Sequence, residues 1–472
     1  MTAKLETFVP ASPPVQLPTP PPSTSPAPAP TEAAQREAQA RLARWKAIEE
    51  AGGQKAWVEA ELKARGLAPE HEDPSTLSDK EKGAWKEKKK AEAAERRALE
   101  RLAWEAWRAT HIHHLGEGVH WRESAGADSF DVKDREERAR SNGLPEFNSA
   151  QALAQALGLS VSRLRWLAYH REVDTGTHYR SWTIPKRGGG LRTITSPKKQ
   201  LKQAQRWMLS HVVERLPVHG AAHGFVSGRS IVTNALAHQG AEVVVKMDVK
   251  DFFPSVTWPR VKGLLRKGGL AEHTATLLAM LATEAPRDVV QFRGKTLYVA
   301  RGPRALPQGA PTSPGLTNAL CLRLDKRLSA LARRLGFTYT RYADDLTFSW
   351  KKGRNKPRAP VAVLIARVTH VLRTEGFRVH PDKTRVMRPG TRQVVTGLVV
   401  NEPPQGRPGA RVPREVVRQL RAALHNRERG KPTRPEETLE QLRGLAAFVH
   451  MTDPARGRAF LERLAALESR AT

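Results

Sequence analysis

Apolar and polar positions change period several times along this chain of 472 residues. Residues 9–30 have no apolar period and are dominated by Pro, Ser, Thr and Ala, which predicts a disordered or polyproline-like spacer. From 31 to 110 the chain turns to Ala, Leu, Glu, Lys and Arg, the composition of helices. Residues 34–51 run without a breaker, and Ser78 with Glu81 reads as a capping box that opens a long second helix. Trp45, Trp57, Trp85, Trp104 and Trp107 stud these helices, where helix packing competes with base stacking as their use. Residues 111–143 read as polar loop. Two short helices are expected at 149–157 and 160–167, where the main folded body should begin.

Beyond them the apolar period alternates between two and 3.6. Residues 179–194 predict a hairpin around Gly188, Gly189 and Gly190, and 199–215 a helix with a basic face. A helix at 230–238 puts Asn234 and His238 four residues apart, on one face. A strand at 242–249 ends in Asp248. Helices are expected at 259–267 and 271–283, and a strand at 296–300. The Gly- and Pro-rich loop 306–314 should open a helix through Leu335. Residues 337–341 and 346–350 are β-formers around the short turn Tyr342-Ala343-Asp344-Asp345. A helix at 360–375, a strand at 377–380 and a second hairpin pairing 384–387 with 394–401 follow. The remainder is helical and basic, at 416–427, 436–449 and 456–467. The class is α+β, with a tail at 1–30, a helical basic extension at 31–148, a mixed body at 149–401 and a helical domain at 402–472.

Charge narrows the partners. Lys and Arg number 79 against 48 Asp and Glu, a net charge of +31. Such a surplus points to a polyanion, and long nucleic acid is the default. Cys321 is the sole cysteine, so disulfide frameworks, Cys-based zinc sites and redox pairs are excluded. His111, His113, His114 and His120 match no zinc spacing. No signal peptide and no long apolar run are visible, so a cytoplasmic location without a membrane partner is expected.

The chemistry centres on three carboxylates. The 342–345 turn lifts Asp344 and Asp345 to the tip of a sheet, and Asp248 waits at another strand end, before the aromatic turn Lys250-Asp251-Phe252-Phe253. Adjacent carboxylates repel and call for a cation. Mg²⁺ takes oxygen ligands and shares them with substrate phosphates, so two such ions on three carboxylates suit nucleotidyl transfer.

The order of these pieces resembles the reverse transcriptases. Residues 247–253, 306–313, 342–345 and the stretch from Gly376 to Thr384 are similar to motifs A to D of that family, in its order. Asn234 to His238 is similar to the NAxxH motif of the retron enzymes, and Val395-Thr396-Gly397 to their VTG motif. The likeness covers about residues 150–472, and the N-terminal extension is most similar to that of the myxobacterial retron enzymes.

The resemblance implies a right-hand polymerase of fingers, palm and thumb. It implies that Asp248, Asp344 and Asp345 hold two Mg²⁺ ions, helped by the Val249 carbonyl. The backbone at Asp251 and Phe252 would receive the triphosphate, and Phe253 would exclude a ribose 2′-OH and so select dNTPs. Lys186 and Arg192 would clamp phosphates, Gln308 and Gly309 would line the nucleotide and template, and Lys383 would be the acid for pyrophosphate. Asn234, His238, Val395, Thr396 and Gly397 would recognise structured RNA. Retron enzymes prime DNA synthesis from the 2′-OH of a guanosine in their own non-coding RNA and give multicopy single-stranded DNA. Members act in anti-phage defence with an effector protein. With about seventy residues after Asn401, RNA removal is expected to need a host RNase H.

Two other readings compete: an intron- or diversity-type reverse transcriptase, and a catalytically silent RNA-binding scaffold. The intact carboxylate trio speaks against the scaffold, and Phe253 speaks against an RNA polymerase.

Overall fold

The computed structural model describes residues 32–67, 78–122, 134–186, 189–351, 358–402, 409–431 and 437–469. The Pro-rich stretch lies outside them. The chain divides into two compact units between Ala109 and Thr110.

The first unit contains the helices Glu32–Glu50, Gln54–Ala64 and Asp79–Thr110, the last reaching the boundary. Its core is Ile48, Trp57, Val58, Leu62, Leu99, Ala103 and Ala106, with Trp45 partly buried against it. The capping box expected at Ser78 is supported by the Ser78 N–H, which donates to Glu81 Oε2 at 2.9 Å. Trp104 stacks on Trp107 at 4.8 Å between ring centres.

The second unit is built on a four-stranded antiparallel sheet. Its strands lie in the order Phe337–Tyr342, Asp345–Trp350, Val243–Lys250 and Arg378–Met387. Period two gives the sheet two unlike faces. Val243, Val245, Met247 and Val249 of the central strand enter the main core with Leu346, Phe348 and Trp350. Val244 enters a second core, and Lys246 and Asp248 follow it on that face. The second core joins Val395, Leu398 and Val400 to the C-terminal helices Arg414–Glu428, Leu439–His450 and Pro454–Ser469.

Two outer hairpins complete the unit. Tyr179–Pro185 pairs with Leu191–Pro197, as the sequence predicts. Lys295–Ala300 pairs with Arg287–Phe292, a strand the sequence reading missed, and also with Val173–Asp174.

Three expectations are corrected. Residues 384–387 do not pair with 394–401. They close the irregular strand Arg378–Met387, and Val394–Val395 instead pairs with Leu398–Val399. The helix after the Gly- and Pro-rich loop is two helices, Ser313–Leu320 and Leu322–Leu335, meeting at Cys321. Residues 110–122 and 134–148 group with the second unit rather than with the extension, and they include the helix Arg135–Ser141. Ile112, Leu115, Ala139 and Leu144 lie in the main core, and Asn142 Nδ2 donates to the Gly268 carbonyl at 2.9 Å.

Leu144 is 7 % exposed. Leu144→Ala should therefore destabilise the large unit by about 2–4 kcal/mol. Thermal or denaturant unfolding followed through this unit checks it, and no shift would put the segment with the extension.

Candidate active site

The three carboxylates converge through strand register. Asp248 stands directly opposite Asp345 on the neighbouring strand, so the two side chains share one sheet face. The hairpin closes Tyr342 onto Asp345, leaving Ala343 and Asp344 as its two-residue turn. Ala343 has φ 54°, the left-handed value that the first central residue of a hairpin turn takes. The Val249 N–H donates to the Asp344 carbonyl at 3.0 Å, which pins the turn to the central strand.

Crowding three acids carries an electrostatic cost. Burial, and then the charges of Asp248 and Asp345, push the Asp344 carboxyl up to about 6. The other two acids have ammonium partners. Lys383 Nζ lies 2.9 Å from Asp248 Oδ1, and Lys246 Nζ lies 3.4 Å from Asp345 Oδ2. Lys383 reaches Asp248 from a bulge. The central strand advances from Lys246 to Asp248 while its partner advances from Arg385 to His380, so residues 381–384 are extruded.

Among the described residues, no three His, Cys, Asp or Glu side chains already form a metal cage. Lys246 and Lys383 offset part of the acids' charge where a cation could stand. The donor set still fits one. It is all hard oxygen, on one face, and burial beside two other acids makes Asp344 resist ionisation, a cost that a bound cation would relieve.

The turn is held from behind by groups the sequence reading did not single out. Arg341 and Asp325 form an ion pair with both side chains fully buried, Nη2 to Oδ2 at 2.7 Å and Nε to Oδ1 at 2.9 Å. Arg341 Nη1 also donates to Asn318 Oδ1 at 2.9 Å and to the Ala343 carbonyl at 3.2 Å. Tyr339 Oη donates to Asp325 Oδ1 at 2.8 Å. A signal existed in the alternation, which points Arg341 away from the acidic face and into the core, where an arginine needs a carboxylate.

The remaining candidates fall into three places. Phe252 is buried and Phe253 half-buried, their rings 5.6 Å apart, just beyond the strand that carries Asp248. Asp251 is exposed with φ 49°, and its carbonyl and that of Phe252 are taken by the Ser255 N–H and Oγ. Lys186 and Arg192 are exposed on the outer hairpin. That hairpin docks on the Gln308–Gly309 loop, since Thr195 N–H donates to the Gln308 carbonyl at 2.6 Å. A Cβ on Gly309 would come within 3.0 Å of Thr195 O and Ile194, so only glycine allows this approach.

Asn234 and His238 require a correction. Both are 0 % exposed, so neither side chain can touch RNA in this conformation. The His238 ring bridges Thr340 Oγ1 and Ser349 Oγ, each at 2.7 Å, and so clips together the two strands of the acidic hairpin. Burial, followed by His223 and Lys351, pulls this imidazole down to about 3, which keeps it neutral. Val395 is buried too, whereas Thr396 is half-buried, donating to the Ile231 carbonyl, and Gly397 is exposed.

Comparison with known proteins adds the lineage. The family model "Reverse transcriptase (RNA-dependent DNA polymerase)" matches residues 184–418. The chain is 70% identical to the Retron Mx162 reverse transcriptase of Myxococcus xanthus, over 100% of this chain and 99% of that one. The chain belongs to the retron reverse transcriptases. It is 47% identical to the Retron Mx65 enzyme of the same organism, over 66% of this chain and 70% of that one. It is 31% identical to the Retron Ec86 enzyme of Escherichia coli, over 71% of this chain and 93% of that one. This retron reverse transcriptase is an RNA-directed DNA polymerase with the right-hand fold, and its family uses divalent metal ions. No helix among the described residues is long and apolar enough to cross a membrane.

Two outcomes follow. In metal-free buffer at pH 7, Asp344→Asn should stabilise the protein, and with Mg²⁺ supplied the same variant should lose DNA synthesis. The folded-state value of Asp344 lies above its unfolded value of 3.8, so ionised Asp344 costs stability as pH rises between the two. The gain is at most about 3 kcal/mol, less for the part of the carboxylate that water reaches, and it shrinks toward pH 4. Chemical denaturation at both pH values checks the sign. Asp325→Asn should cost about 3–5 kcal/mol, because it strands the buried Arg341 charge. The same denaturation assay measures it.

Proposed function

We propose that this retron reverse transcriptase copies part of its own structured non-coding RNA into multicopy single-stranded DNA, priming from the 2′-OH of a guanosine in that RNA. The observation that carries the chemistry is the register that sets Asp248 against Asp345 beside the strained Asp344 turn. Asp248, Asp344 and Asp345, with the Val249 carbonyl, would hold two Mg²⁺ ions. When bound, such ions favour the ionised priming hydroxyl and neutralise the departing pyrophosphate.

The chain's own groups do the rest. Lys186 and Arg192 hold the triphosphate from the outer hairpin, and the backbone at Asp251 and Phe252 receives it. The Phe253 ring occupies the space a ribose 2′-OH would need. Gln308 and Gly309 line the nucleotide and template. Lys383 gives its proton to the pyrophosphate oxygen, leaving Asp248 as it does so. Thr396 and Gly397 meet the structured RNA, while Asn234, His238 and Val395 shape the surface beneath. The net charge of +31 supports RNA as a lasting partner. We place the enzyme in the cytoplasm with a host RNase H, and in anti-phage defence with an effector protein.

The test is the nucleic acid that copurifies from the native locus. A discrete DNA band that shifts after RNase and shortens again after debranching supports the proposal. RNA alone, with extension of an added primer, would contradict the branched-priming part. Phe253→Val should let the enzyme incorporate rNTPs at least about tenfold better relative to dNTPs. Unchanged discrimination would remove Phe253 from that role.

A further inference from the structure

The loop before the Asn234 helix carries an aromatic side chain that nothing above uses. Phe225 is 61% exposed and has φ 58°, a backbone value that costs a bulky L residue and that glycine or asparagine would fill more readily. The loop around it is fixed. Arg341 N–H donates to the Ala221 carbonyl and His223 N–H to the Arg341 carbonyl, both at 2.8 Å, so the loop lies along the acidic hairpin. Asn318 Nδ2 donates to the Gly224 carbonyl at 2.8 Å, and Arg229 Nη1 donates to the Ala222 carbonyl at 3.0 Å.

Gly224 is explained by this contact. A Cβ there would sit 2.8 Å from the Ala343 nitrogen. Phe225 is not explained by it. Its ring lies 6.2 Å from that of Tyr342, two residues before Asp344, and still faces solvent. A rigid loop thus presents a large apolar ring, in a costly conformation, beside the carboxylates where the priming hydroxyl must lie.

We infer that Phe225 is a stacking platform for one base of the template–primer next to the priming hydroxyl. The occupant is a nucleobase rather than a protein side chain. The ring stands at the site of polymerisation, on a chain whose charge favours polyanions, and every base offers a face to an aromatic ring. This inference rests on the polymerase activity alone and on none of the finer proposals about priming.

The test uses the full chain with a short RNA template annealed to a DNA primer. Phe225→Ala should raise KM for the template–primer roughly 5- to 100-fold, with KM for dNTP within about twofold. Phe225→Trp should restore it, and Phe225→Leu should not. An abasic residue is then moved through the positions flanking the primer end. At one position it should cost the wild type what Phe225→Ala costs, and add nothing in that variant. An unchanged KM in Phe225→Ala, equal rescue by Leu and Trp, or no such abasic position would overturn the inference. Failure of the wild type to extend the intact primer would instead count against the polymerase activity itself.

Discussion

Like charge confined to one small patch is the constraint around which the large unit is arranged. Strand register alone would bring Asp248 and Asp345 face to face, with Asp344 on the adjoining turn. Such a cluster persists in the folded protein only because its charge is offset and its backbone is fixed. Lys383 and Lys246 offset two of the acids, and the raised pKa of the third lets it hold a proton below about pH 6. Behind the sheet, the Asp325–Arg341 pair grips the Ala343 carbonyl, and on the acidic face His238 clips the two hairpin strands. The fold thus spends buried polar groups, which are costly without partners, on keeping one turn in place.

Much of this was legible in the chain. The hairpin around Asp344 and the strand ending at Asp248 are short runs of β-formers with clear alternation, and both lie where that pattern put them. The C-terminal helices followed from their 3.6 period, to within a few residues. What periodicity could not reach was long-range pairing. Lys383 meets Asp248 only because four residues bulge from a strand that sequence alone divides between two elements. Asp325 and Arg341 come from a helix and a strand, and neither position marks the other.

The retron motif around Asn234 and His238 shows a different limit. Motif likeness gives a place in the family, while burial gives a place in the fold. His238 lies on the same sheet face as the acids but behind them, under the second core. Its tie to the hairpin braces the element that carries the acidic turn. Thr396 is joined through the Ile231 carbonyl to the helix Ile231–Leu236, which ends two residues before His238, so that link is physical rather than sequential.

The most direct measurement of this account is the number of protons released when Mg²⁺ binds the metal-free enzyme. Calorimetry in two buffers of different ionisation enthalpy gives that number. With Asp344 titrating at about 6, roughly half a proton should leave at pH 6 and almost none at pH 8. Asp344→Asn should remove the difference. Mg²⁺ binding with no proton release at pH 6, or release that survives in Asp344→Asn, would contradict a centre whose third acid titrates near 6 and gives up its proton to a cation only below about that pH.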